Sequence, residues 1–162
     1  MRRKIFLFVI FLFTEKLFAQ AIPSNLEARV ARLLEISFDQ TDEKLRGFDR
    51  IDINSYEWSE RGVDWLGSII IYLKNNQTDG IRTVRWYTDS NLARRYKGSY
   101  LTALENNGFL FLGPDREENL VYVLLNGQND SLKISVIVSE IIRAGRLVGI
   151  DVTYYPWVWA NN

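Results

Sequence analysis

Three apolar-alternating runs crowd the last third of this chain, and the connections between them are too short to carry a crossover. Leu120 to Leu125 is apolar on both sides, the pattern of a strand covered on two faces. Leu132, Ile134, Val136 and Val138 then alternate with Lys133, Ser135 and Ser139. Val148, Ile150, Val152 and Tyr154 alternate with Gly149, Asp151, Thr153 and Tyr155. Asn126-Gly127-Gln128-Asn129-Asp130 and Arg143-Ala144-Gly145-Arg146 supply the turns. Strands joined this closely must pair antiparallel, because a parallel neighbour needs a return segment of a dozen or more residues.

An earlier pair follows the same logic. Ile69 to Leu73 is a β-branched apolar run, Asn75 to Gly80 offers turn residues, and Ile81 to Tyr87 resumes with alternation, so a hairpin is predicted. Between this hairpin and the C-terminal strands lies a stretch of helical period. Leu92, Tyr96, Tyr100, Ala103 and Leu104 form one stripe, and Arg94, Arg95, Lys97, Thr102 and Glu105 face away. Asp89 or Ser90 caps its start, and Asn107-Gly108 ends it with Leu104 and Phe109 placed for the apolar contact of a Schellman turn.

Nearer the N-terminus, Ser24-Asn25-Leu26-Glu27 is a capping box, and Leu26, Val30, Leu33 and Leu34 mark the buried face of a first amphipathic helix. Ser90-Asn91-Leu92 echoes Ser24-Asn25-Leu26, but three residues favoured at helix starts do not establish a repeat. Residues 39–66 read as an irregular acidic connection. It holds a short edge strand around Ile51 and Ile53, and a helical or looped part that sets Trp58 and Trp65 against the core. The expected architecture is a two-layer α+β domain over residues 22–162: a mostly antiparallel sheet of five to six strands, with one N-terminal helix and one helix between the hairpin and the C-terminal strands.

Ahead of that domain, residues 1–21 have the build of a signal peptide. Arg2, Arg3 and Lys4 precede a nine-residue apolar run from Ile5 to Phe13, and Ala19-Gln20-Ala21 provides a small-x-small cleavage site, after Ala19 or Ala21. Nine apolar residues fall well short of the roughly 20 that span a bilayer, so a cleaved leader is expected and no integral membrane protein remains. With residues 1–21 removed, 16 basic and 19 acidic side chains are left of the 20 and 20 in the whole chain. A net charge of −3 argues against a general nucleic-acid binder. Cysteine and histidine are both absent. Disulfides, thiol nucleophiles and cysteine-ligated zinc are thereby excluded, and so is the side chain best suited to proton transfer near neutrality. An exported domain without cysteine is expected in the periplasm or outside the cell, in a bacterial envelope.

Four residue groups carry candidate chemistry. Tyr155, Trp157 and Trp159 share strand parity in an aromatic C-terminus and would form a platform for a sugar, a peptide or a partner protein. Arg94 and Arg95 lie near the start of the central helix, where free backbone N–H groups favour an anion. Asp49, Asp52 and Asn54 are the oxygen donors most suited to a hard metal ion, although the spacing lacks a calcium loop. Glu57 and Glu60 are the candidate acid and base of a carboxylate-based hydrolase acting on envelope polysaccharide. The balance favours a non-catalytic exported domain that binds an envelope or extracellular protein, or a glycan, through aromatic residues. No cofactor is expected, and the alternatives are the hydrolase and a purely structural envelope protein.

Overall fold

The computed structural model describes residues 25–126 and 131–156. Along the chain run α1 (Asn25–Glu35), α2 (Thr41–Lys44), β1 (Asp49–Asp52), β2 (Ser55–Arg61), β3 (Trp65–Lys74), β4 (Gln77–Tyr87), α3 (Ser90–Asn106), β5 (Leu110–Pro114), β6 (Leu120–Asn126), β7 (Ser131–Arg143) and β8 (Arg146–Pro156). All eight strands belong to one antiparallel sheet in the order β1-β2-β3-β4-β8-β7-β6-β5. The fold is therefore α+β with an antiparallel sheet, but the sheet dominates. The expectation of five to six strands beneath two amphipathic helices is corrected to eight strands, with the helices a minor part.

One additional strand comes from residues 39–66, which are not an irregular connection. Ser55–Arg61 is a full strand against β3, with Tyr56, Trp58 and Glu60 directed to the same face as Ile71, Ile69 and Gly67. The two aromatic rings suit the strand, since they fall at alternate positions on the side that faces the helices, each partly buried. Glu60 at the third inner position masked the alternation. Leu110–Pro114 forms the far edge against β6, shortened by a bulge at Gly113 (φ 116°).

The sheet order also shows that the molecule is built twice. A helix and a four-stranded meander come first, a helix and a second meander follow, and β4 and β8 join them. Moving Gln77–Tyr87 forward by 69 residues gives Arg146–Pro156. The same shift carries the Asn75-Asn76 hairpin turn onto Ala144-Gly145, and all four of these residues have positive φ, the type I′ geometry that suits twisted strands. In the β4–β8 seam Thr83 lies opposite Val152, which is its own counterpart 69 residues on, so the seam is symmetric about this pair. Asn25-Leu26 and Asn91-Leu92, 66 rather than 69 residues apart, stand near the starts of the helices of the two halves.

One face of the sheet meets the helices. Ile69, Ile71, Ile81, Val136, Val138, Ile150, Val152 and Tyr154 on that face are buried together with Leu26, Val30 and Leu33 of α1 and Tyr100 and Leu104 of α3. Tyr100 and Tyr154 join their hydroxyls across this interface. Helix α3 is held at both ends. The Asp89 carboxylate accepts from the N–H groups of Asn91 (2.6 Å) and Leu92 (3.2 Å). At the other end Phe109 N–H donates to the Leu104 carbonyl (3.1 Å) and Gly108 N–H to that of Glu105 (3.0 Å), with Gly108 at φ 82°.

Two glycines equivalent by the 69-residue shift, Gly80 and Gly149, flank the seam. A Cβ on Gly149 would stand 2.2 Å from the Arg85 carbonyl oxygen, whereas one on Gly80 meets nothing closer than 3.5 Å. Gly149→Ala should therefore force β4 and β8 apart and cost about 2 kcal/mol or more, while Gly80→Ala should be neutral or slightly stabilising. Chemical denaturation of the two variants checks the contrast; equal stabilities would contradict the close approach of the seam.

Candidate functional site

Helix contacts fall on the inner face: Leu26 against Gly67, Arg29 over Trp58 (4.5 Å), Tyr96 against Arg85 (4.5 Å) and Tyr100 with Tyr154. The outer face of the central strands is the side without a helix among the described residues. Strand alternation brings Ile70 and Tyr72 of β3, Arg82, Val84 and Trp86 of β4, Asp151, Thr153 and Tyr155 of β8, and Ile137 and Ile141 of β7 to that face. Only Val84 of these is buried; the others are partly buried, each still reached by water. Apolar and aromatic side chains therefore make up much of a surface that water reaches.

At its centre is an ion pair across the seam. Arg82 donates through Nε to both Asp151 oxygens (2.9 and 3.0 Å) and through a second nitrogen to Oδ2 (2.5 Å), a fork matched to a carboxylate. Its remaining terminal nitrogen donates to the Tyr72 hydroxyl (3.3 Å). The Asp151 carboxylate raises the affinity of Arg82 for its proton, with Tyr72 adding to the effect and burial opposing it. Arg82 and Asp151 are separated by 69 residues, so equivalent positions in the two halves carry opposite charges that meet.

Trp86 and Tyr155 are equivalent in the same way. Each ring stands across the seam from a glycine: Trp86 pairs with Gly149, and the Tyr155 ring carbons approach the Cβ position of Gly80 at 3.5 Å. Glycines leave exposed backbone that a neighbouring ring covers. The guanidinium of Arg143 stacks on Trp86 at 4.7 Å. Six residues of β4 separate Gly80 from Trp86, so the two rings are about 20 Å apart.

Among the aromatic candidates, Tyr155 is on this surface, and Trp157 and Trp159 lie outside the described residues. Glu57 and Glu60 are not brought together. Glu57 lies opposite Ile70 on the outer face, and Glu60 points inward, on the register line that runs through Gly67 to Arg85. A pair on opposite faces of a strand cannot serve as acid and base on one substrate. Of the Asp49, Asp52 and Asn54 set, Asp49 lies at the far end of β1 opposite Glu57, and the other two lie at the β1–β2 turn, where Asp52 Oδ1 accepts from Ile53 N–H (2.6 Å), so its carboxylate shapes the turn. No three acidic side chains gather into a metal-binding group among the described residues. Arg94 and Arg95 are both exposed but diverge: Arg94 lines a cleft beside α3, and Arg95 does not.

Comparison with known family models, curated proteins and solved structures returns no match. Among the described residues no helix is long and apolar enough to cross a membrane.

Sequence reasoning weighed Arg82 only as an anion contact beside the central helix and missed Tyr72, Trp86 and Asp151. The signal that would have found Trp86 and Asp151 is the recurrence of Gly-Ile, followed five residues later by an aromatic, at Gly80-Ile81…Trp86 and Gly149-Ile150…Tyr155.

One buried cation belongs to the scaffold rather than to this face. Lys44 is almost fully enclosed, and its ammonium donates to the carbonyls of Leu33 and Ile36 (2.6 Å) at the end of α1 while sitting 4.7 Å from the Phe38 ring. Burial pushes it down from 10.5 to about 8, against the carboxylates of Asp39 and Glu43. Between those two values the unfolded chain holds the proton and the native one does not, so stability rises with pH across that window. The rise amounts to about 3 kcal/mol, and Lys44→Met should abolish it. Urea unfolding from pH 7.5 to 10 checks this; a wild-type curve that is flat or falling there would contradict it.

Proposed function

We propose that this protein is an exported, non-catalytic binding domain whose outer sheet face receives an elongated partner, a protein segment or a glycan chain of the cell envelope or its surroundings. The observation that carries the reading is the placement of Trp86 and Tyr155 at the two ends of the β4–β8 seam, with the Arg82–Asp151 ion pair between them on a face that carries no helix among the described residues. Aromatic rings give large contact area at little entropic cost, and such rings dominate binding surfaces. An ion pair between them supplies donors and acceptors that orient a polar ligand without a net field.

Export is supported by the basic start, the nine-residue apolar run and the Ala19-Gln20-Ala21 site. A binding role rather than a hydrolytic one is supported by the divergence of Glu57 and Glu60.

The test is retention of the purified mature domain on immobilised envelope polymer and on immobilised envelope protein, wild type against a Trp86→Ser, Tyr155→Ser double variant of matched melting temperature. Loss of both rings should weaken retention on one of the two supports by about tenfold or more. Equal retention of both forms on each support would contradict the assignment of this face.

A further inference from the structure

A second surface lies on the other side of the sheet, between α3 and the β7–β8 hairpin. We propose that this cleft is a binding site for a small amphipathic carboxylate of the medium-chain fatty acid kind, its anionic group on Arg94 and its apolar part against Leu101, Ile142 and Leu147. The cleft is a depression open to solvent that offers about 390 Å³. That is at the small end of the roughly 300–1,000 Å³ typical of sites for small molecules, and too little for a folded partner.

Its helical wall is one face of α3, formed by Arg94, Lys97, Gly98 and Leu101 at i, i+3, i+4 and i+7. Gly98 is the informative member. A glycine inside a helix costs about 1 kcal/mol relative to alanine, and here no packing demands it: nothing lies within 4 Å of where its Cβ would stand. The missing side chain leaves the cleft open. Facing it, Ile142 is 51% exposed although it sits beside the buried Leu147, so the cleft floor is apolar surface left uncovered.

Charge selects the ligand. Lys97 is already paired with Glu140 across the cleft. Arg94 is exposed and makes no ion pair among the described residues, so two cations and one anion leave the wall with a single uncompensated positive charge. A planar guanidinium takes a carboxylate through two parallel hydrogen bonds. An apolar tail attached to that carboxylate would cover Ile142, which a simple inorganic anion would not.

Isothermal titration with octanoate, octanol and inorganic phosphate tests the site in the wild type, in Arg94→Ala and in Gly98→Leu. In the wild type octanoate should bind one to one, with octanol and phosphate weaker by about tenfold or more. Arg94→Ala should bring octanoate down to the level of octanol. Gly98→Leu fills the cleft while favouring the helix, so it should melt at or above the wild-type temperature and bind neither. Absence of saturable octanoate binding, equal binding of octanol or of phosphate in the wild type, or octanoate binding that survives Gly98→Leu would each overturn the proposal. Arg94→Ala stands as an independent arm should Gly98→Leu fail to fold. The Trp86→Ser, Tyr155→Ser variant should bind octanoate normally, because those rings occupy the opposite face.

Discussion

The pairing of β4 with β8 is the interaction on which the rest of this molecule depends. Each half of the chain supplies a helix and a four-stranded meander, and neither meander buries its apolar face with its own helix alone. When the halves meet, Ile81, Thr83 and Arg85 come into register with Tyr154, Val152 and Ile150. One continuous inner surface results, large enough for α1 and α3 to cover together. The seam is tight because Gly149 lets the Arg85 backbone approach. Arg85 itself is buried at that point between the rings of Trp65 (4.3 Å) and Tyr96 (4.5 Å), so a cation is accommodated in the core by π faces on either side.

Symmetry about the seam also shapes the surface that faces away from the helices. Equivalent positions in the two halves differ in ways that complement one another: Arg82 meets Asp151, and the equivalent rings are Trp86 and Tyr155. The far edges of the sheet have diverged as well. β1 reads Asp-Arg-Ile-Asp, an edge protected by charge, whereas Leu110, Phe111 and Leu112 of β5 are about half or more exposed, with protection coming from the bulge at Gly113 and from Pro114.

Much of this was legible in the residues. The caps of α3 could be read because Asp89 and Asn107-Gly108 act through local backbone chemistry, and the β3–β4 and β7–β8 hairpins because alternation and turn residues coincide. The strand at Ser55–Arg61 was not, since a carboxylate at an inner position breaks the pattern that betrays burial, and only the tertiary neighbourhood of Gly67 and Arg85 makes room for it. The central face was hidden for a different reason. Arg82 and Asp151 are 69 residues apart, and their meeting is a consequence of the seam, which no local window contains. Of the aromatic C-terminus, Tyr155 belongs to the candidate surface and the remainder lies beyond the described residues.

That two halves form a single cooperative body through β4 and β8 is most directly tested by native-state hydrogen exchange. If the seam unites them, amides of Ile81 to Trp86 and Gly149 to Tyr154 exchange only through global unfolding, at one shared free energy with the core of both meanders. Exchange of the β1–β4 half at a free energy clearly separate from that of the β5–β8 half, with seam amides opening below either, would contradict it.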